Sequence, residues 1–449
     1  MKISNDTICA ISTPHGIGGI AVARISGPDA IAITDKIWKG KPLENAPTHT
    51  AHLGEIIDTN GEVLDQGVAT IFRSPKSYTT EDTVEISVHG SRWIQRELIN
   101  TLVKAGARIA ERGEFTQRAF AAGRFDLAEA EAVADLISSS SRAAHRIAMN
   151  QMRGSVSRRL ETLRDSLIEL ASLLELELDF SEEDVEFASR DRLTALAIET
   201  KEEIQRLVAT FNTGAAIKNG IPIAITGKTN AGKSSLLNAL LGDDRAIVSD
   251  IHGTTRDIVE DTIEIGDYLV RFQDTAGLRH TDDEIERIGI DRSHKAAENA
   301  RIVIFVADAT DNDPLQPFDD FKDIDPKRII TVFNKTDLPG TSTPDGAIAI
   351  SAKKGTGIDK LRTALKTKIE EIADNDNAEV LLTNARHAQA LTMAATSITD
   401  FIQALNDGIP TDLAAQLLRE TLHHLSTVTG TITTPEILQS IFTRFCIGK

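Results

Sequence analysis

The chain has 449 residues, room for two to four domains at about 100–200 residues each. Apolar residues make up 41% and charged residues 26%, the balance of an ordinary globular protein, and an aromatic content of 4% leaves the cores to aliphatic side chains. The net charge of −18 argues against a simple nucleic-acid binder, whose affinity comes from clustered Lys and Arg, but it allows a local basic patch or a partner that supplies the positive surface. Two cysteines, Cys9 and Cys446, without metal-ligand spacing such as CxxC, fit a reducing cytosol. No apolar signal core opens the chain and no run of 18 apolar residues interrupts it, so a cytoplasmic protein with no membrane span is expected.

In chain order, residues 7–12, 19–25, 68–72 and 83–88 read as short strands bounded by Gly, Pro or polar residues, and 91–105 as a helix. This first segment is α+β. The Gly-rich run 15–19 lacks GxGxxG spacing and reads as a tight turn. From Asp126 the pattern turns helical. Leu160, Leu163, Leu167, Leu170 and Leu174 recur at steps of three and four, which places one leucine stripe along a helix and marks a bundle core or helix seam. Short apolar runs at 221–226, 269–273, 301–307, 328–333 and 347–350 then alternate with helical segments, the signature of βα units and a mostly parallel sheet. A polar stretch at 374–377 reads as a linker, and helical patterning resumes over 383–445. The simplest architecture is one helical domain interrupted by an inserted α/β domain, with both insertion points close in space.

The chemistry concentrates in the insert. The run Gly227-Lys228-Thr229-Asn230-Ala231-Gly232-Lys233-Ser234 follows a strand and opens a helix through Ser235, as a P-loop does. Its glycines let backbone N–H groups cradle phosphate oxygens, the helix N-terminus adds favourable dipole charge, Lys233 supplies a point charge and Ser234 a hydroxyl for Mg²⁺. Asp274-Thr275-Ala276-Gly277 ends the next strand, where a carboxylate can hold Mg²⁺ through water and the Gly277 N–H can meet the γ-phosphate. Asn334-Lys335-Thr336-Asp337 ends a later strand. Asp337 can accept two hydrogen bonds from guanine N1 and N2, a donor pair adenine lacks. Ser351-Ala352-Lys353 fits a second base-contacting loop. Between the first two motifs, the 249–255 segment Ser249-Asp250-Ile251-His252-Gly253-Thr254-Thr255 offers Thr255 as a second hydroxyl for Mg²⁺, the mark of a switch ordered by metal and γ-phosphate. The four motifs in this order define a GTP-hydrolysing, Ras-like G domain.

Two departures shape the mechanism. Leu278 stands where a water-orienting Gln would be, so another residue, among Asp282, Asp283, Glu284 and Glu286, has to orient water. Asn230 occupies the third variable P-loop position. Its side-chain oxygen can ligate a monovalent cation that stabilises transition-state charge, or simply brace the loop, and Arg256 is a rival charge stabiliser. Cys446, in Phe445-Cys446-Ile447-Gly448-Lys449, reads as a small buried hydrophobe or as a reactive thiol beside Arg444 and Lys449, and the terminus fits the prenylation pattern poorly. His423 and His424 read as helix-surface residues.

Over essentially its whole length the sequence resembles the MnmE (TrmE) family of tRNA uridine-34 modification GTPases. The resemblance is carried by Ala23-Arg24-Ile25-Ser26-Gly27, the 84–90 run VEISVHG, Gly113-Glu114-Phe115-Thr116, LAEAEAVADLI at 127–137, GKTNAGKSSLLNALL, DIHGTTRD, DTAGLR, Glu286-Arg287-Ile288-Gly289-Ile290 and the terminal FCIGK. It implies an N-terminal tetrahydrofolate-binding and dimerisation domain over 1–122, a helical domain made of two separate stretches, 123–215 and 374–449, and the G domain inserted between them over 216–373. It further implies 5-formyl- or 5,10-methylene-tetrahydrofolate at Arg24, Glu85, Arg124 and Lys449, with Arg124 standing where some relatives carry Lys. Cys446 would be required for the modification. Asn230, Ser249, Ile251 and Thr254 would hold K⁺, and Glu286 would position the hydrolytic water, which answers the Leu278 puzzle. The partner implied is the FAD-dependent MnmG (GidA) protein, which with a homodimer of this chain would hold tRNA and install an aminomethyl or carboxymethylaminomethyl group at C5 of the wobble uridine. The alternative is an Era-like ribosome-assembly switch, which would carry a basic RNA-binding appendage and have no use for Cys446.

Overall fold

A computed structural model describes residues 6–179, 190–242, 261–273, 294–313, 315, 323–341, 343–344, 347–374 and 380–449. Two compact units divide the chain: Met1–Ile137 with Gln151–Ala197 and Thr396–Lys449, and Ser138–Asn150 with Ile198–Ala395.

In the first unit, seven strands form one sheet: β1 (Ile8–Ile11), β2 (Gly18–Ser26), β3 (Trp38–Gly40), β4 (Thr50–Ile57), β5 (Val63–Phe72), β6 (Thr83–Gly90) and β7 (Arg108–Ile109). They lie in the order β3-β4-β5-β6-β2-β1-β7, antiparallel except for the β1–β7 pair. The second half of β5 alternates buried and half-buried residues, as a strand with one covered face should. Helix Arg92–Ala105 covers that face through Leu98 and Leu102, and starts where Ser91 caps the Trp93 N–H. Further along, the predicted leucine stripe is buried: Leu160, Leu163, Leu167, Leu170 and Leu174 are each 3% exposed or less on helix Ser155–Asp179, which packs along helix Thr411–Thr429. Helix Pro435–Phe442 buries Ile441 and Phe442, with Phe445, against Leu127, Ala130 and Val133 of helix Leu127–Ser138.

A partly buried ion cluster forms around Arg118. The Arg118 side chain, 2% exposed, donates to Asp6 (2.7 Å), Glu114 (3.0 Å) and Glu81 (3.1 Å), while Arg108 holds Asp6 and Glu114 from the other side. The Arg108 hydrogen bond, aided by Arg118, brings the Asp6 carboxyl down to about 2.

The second unit is built on a six-stranded sheet of β8 (Ile221–Thr226), β9 (Asp261–Ile265), β10 (Tyr268–Phe272), β11 (Ile302–Asp308), β12 (Ile329–Asn334) and β13 (Ile348–Ala349), in the order β13-β12-β11-β8-β10-β9. Only β9 runs antiparallel to its neighbour. The central strands β8 and β11 are apolar almost throughout because both faces are covered. Helix Arg190–Asn219 leads into β8, and the returning chain meets it within this unit. The Leu382 N–H donates to Thr210 Oγ1 at 3.0 Å. Among the described residues no helix is long and apolar enough to cross a membrane.

Carboxylates whose folded pKa is depressed stabilise the fold above their ordinary range near 4, and that contribution disappears as pH falls toward 2. Arg118→Met takes a buried cation from three carboxylates, of which Asp6 and Glu114 keep Arg108 and Glu81 keeps the Ser26 hydroxyl. Asp6 and Glu81 keep 32% and 26% side-chain exposure, so the expected loss is near or below the low end of the about 3–5 kcal/mol seen for broken buried pairs. In chemical denaturation the gap between wild type and variant should be full at pH 6 and shrink between pH ~4 and ~2. A gap independent of pH would mean that the cluster is not ionic in origin.

Candidate functional site

The P-loop links β8 to helix Lys233–Leu241, as its sequence context required. Lys233 Nζ donates to the carbonyls of Gly227 (2.7 Å) and Lys228 (2.9 Å), which curls the loop around the ammonium. Burial pushes the Lys233 pKa down, and an anion placed in the loop would oppose that shift. Asn230 has φ 65, a left-handed conformation that Asn tolerates better than most residues, so backbone geometry is one reason for its choice there. Ser234 falls in the first helical turn and Ser235 is exposed beside it.

Asn334 ties this loop to the two motifs that follow. Its Nδ2 donates to the Ala231 carbonyl (2.8 Å) and its Oδ1 accepts the Ala352 N–H (3.0 Å); the residue is 3% exposed. Gly232 is required by that contact: its φ is 94, and a Cβ there would lie 2.2 Å from Asn334 Nδ2. Thr336 is anchored by its N–H and Oγ1 to the Ile350 carbonyl (3.1 and 2.8 Å). Ser351, 1% exposed, hydrogen-bonds Asp337 and thereby holds its carboxyl below the ordinary value, with Lys354 (3.5 Å) adding to the effect. Lys335, at φ 67, reaches Asp308 at the end of β11 (2.6 Å). Asn230, Ala231, Gly232, Lys233, Ser234, Asn334, Lys335, Asp337, Ser351 and Ala352 thus converge from loops at the C-terminal ends of parallel strands β8 and β12 and the loop after β13, where open α/β sheets bind ligands. Lys353 is exposed. Ser249, Asp250, Ile251, His252, Gly253, Thr254, Thr255, Arg256, Asp274, Thr275, Ala276, Gly277 and Glu286 lie outside the described residues.

A second constellation forms in the first unit. Arg24 on β2 pairs with Glu85 on β6 (2.8 Å), its cross-strand neighbour. The Arg24 guanidinium stacks 5.1 Å from the Tyr78 ring centroid and 5.6 Å from Phe115, and Arg124 stacks on Tyr78 (5.8 Å) and Phe125 (5.4 Å) while donating to the Ser77 carbonyl. The C-terminal tail docks beside them. Ile447 forms a bridge with Arg112, Ser12 Oγ donates to the Gly448 carbonyl (3.1 Å), and Gly448, at φ 97, passes so close to Ile11 that a Cβ would sit 2.3 Å from its carbonyl. Burial and the nearby Arg24 lower the Lys449 pKa, opposed by Glu85 and Cys446, so all four groups share one neighbourhood. Cys446 is exposed; Cys9 is buried, which pushes its thiol up to about 11. Sequence reasoning missed Tyr78, Asp308 and Lys354, since an isolated aromatic or charge carries no spacing signal, and it named Phe115 within the 113–116 run without giving it a role.

Together these features define a P-loop nucleotide-binding G domain joined to a helical and an N-terminal α+β domain. A model of the MnmE helical domain matches residues 127–446 and a model of the TrmE N-terminus matches 7–124. The chain is 49% identical to the tRNA modification GTPase MnmE of Parabacteroides distasonis over 99% of this chain and all of that protein. It is 46% identical to that of Cytophaga hutchinsonii (99% and 98% covered) and 44% to that of Porphyromonas gingivalis (100% and 99%). The chain belongs to the MnmE family.

Asn334→Ala removes both halves of the bridge and leaves the Ala231 carbonyl and Ala352 N–H unpaired, at about 1–3 kcal/mol for each stranded group. A clear drop in the melting temperature of the unliganded protein is expected. An unchanged value would show that water replaces the amide.

Proposed function

We propose that this protein is a GTPase acting in tRNA modification. The observation that carries the reading is the Asn334 bridge, which assembles phosphate loop and base loop into one seat on a chain similar end to end to the MnmE proteins. In this seat Asp337, oriented by Ser351, takes the guanine N1 and N2 donors, and Lys233 meets the phosphates. Ser234 with Thr255 would hold Mg²⁺, which neutralises charge on the phosphates. Asn230 with Ser249, Ile251 and Thr254 would hold K⁺. Asp274 and Gly277 would serve the metal and the γ-phosphate, Glu286 would orient water, and Arg256 remains a candidate charge stabiliser.

The Arg24–Glu85 cluster of the N-terminal domain would take a reduced folate. Arg24 Nη1 is buried without a hydrogen-bond partner, Glu85 can accept from a pterin's amino and ring N–H groups, and Arg124 and Lys449 suit glutamate carboxylates. A 5-formyl- or 5,10-methylene-tetrahydrofolate bound there would supply the one-carbon unit, with Cys446 close by. The acidic chain then needs a partner to hold tRNA, a role suited to the flavoprotein MnmG, in a cytoplasmic complex with a homodimer of this chain. No observation favours the Era-like alternative.

The purified protein should retain GDP in preference to ADP, and Asp337→Ala should erase that preference in equilibrium binding. Equal retention of both nucleotides by the wild type would defeat the GTPase reading. Cells lacking the protein should carry unmodified C5 positions at wobble uridines by mass analysis; intact modification there would defeat the tRNA reading alone. GTP turnover should be faster in KCl than in NaCl, and equal rates would remove the cation site at Asn230.

A further inference from the structure

The end of β11 and the turn that follows it carry two carboxylates, and each holds a lysine from a different wall of the nucleotide seat. Asp311 Oδ2 accepts from Lys228 Nζ of the P-loop at 2.7 Å. Asp308 Oδ2 accepts from Lys335 Nζ of the base loop at 2.6 Å. The turn itself is stiff. The Asp311 N–H donates to the Asp308 carbonyl (3.1 Å), and the Thr310 N–H and Oγ1 both donate to Asp308 Oδ1 (2.9 and 2.7 Å). Lys228 is also not a passive loop residue, because its carbonyl is one of the two that hold Lys233 Nζ. A pull on Lys228 therefore bears on the carbonyl that places the P-loop ammonium.

On the reading that this seat binds guanine nucleotides, we propose that the Lys228–Asp311 pair is a strap that slows nucleotide release by fastening the phosphate loop to the turn that also anchors the base loop. Lys228 and Asp311 are positioning residues in this role; their side chains need not touch the ligand. Two physical effects oppose each other at Asp311, and the sign of the result separates them. A carboxylate beside a polyphosphate repels it, so Coulomb forces alone make Asp311→Asn hold nucleotide longer. Loss of the strap makes it release nucleotide sooner. The pair is partly exposed, with side-chain exposures of 46% and 28%, so the change should be modest, about threefold, in line with exposed ion pairs.

The test is the release rate of a fluorescent GDP analogue from the full-length protein, followed by stopped flow, for wild type, Lys228→Gln, Asp311→Asn and the double variant. Each single variant should release about threefold faster, and the double variant no faster than the singles, since both remove one interaction. Raising the salt should speed release from the wild type toward the variant rate and leave Asp311→Asn nearly unchanged. Unchanged or slower release by Asp311→Asn, additive effects in the double variant, or parallel salt responses would each overturn the strap. Failure of the wild type to bind the analogue at all would instead strike the GTPase reading on which the strap rests.

Discussion

The nucleotide seat depends on one buried side-chain amide. Asn334 offers a donor and an acceptor on the same planar group, and it commits them to the Ala231 carbonyl and the Ala352 N–H, two backbone groups far apart in sequence. The parallel sheet makes this possible, because β8, β11 and β12 all end at one edge and release their loops side by side. The phosphate loop, the base loop and the loop after β13 are thereby tied to one another through protein atoms alone.

The Arg24 cluster of the N-terminal domain follows a different physical rule. Arg24 and Arg124 stack on one tyrosine, and burial together with Arg24 lowers the pKa of the Lys449 ammonium. Glu85 offsets some of this crowding through its pair with Arg24. The aromatic faces of Tyr78 and Phe115 let guanidinium groups stack where hydrogen-bond partners are few.

Much of the fold was legible in the sequence because its signals are local. The Leu160–Leu174 stripe has helical spacing, and the apolar run 221–226 forms the strand its composition suggests. The Ser91 cap marks where helix Arg92–Ala105 begins. Strands β3, β4, β7 and β9 were not legible. β3 and β7 are three and two residues long, and β4 and β9 interleave polar or charged residues with apolar ones because one face of each is open. β7 pairs with β1, far away in sequence (Ile8↔Arg108), so no window of residues contains its partner, whereas β4 and β9 join the next strand through short hairpins (Ile57↔Val63 and Ile265↔Tyr268) whose weakly apolar arms gave no strong strand signal.

The sequence by itself determined the chemistry of the nucleotide seat. Its motifs are short runs in which backbone conformation and side-chain type are set by adjacent residues, so Lys233, Asn334 and Asp337 could be named from spacing alone. Only the tertiary structure decided which distant groups serve those motifs: Asp308 under Lys335, Lys354 rather than Lys353 beside Asp337, Asp311 on Lys228, and the C-terminal Gly448 threaded against Ile11 next to Arg24. Those pairings arise from strand order and close backbone approach. Such geometry is set by how the whole core packs and leaves no periodic trace in the chain.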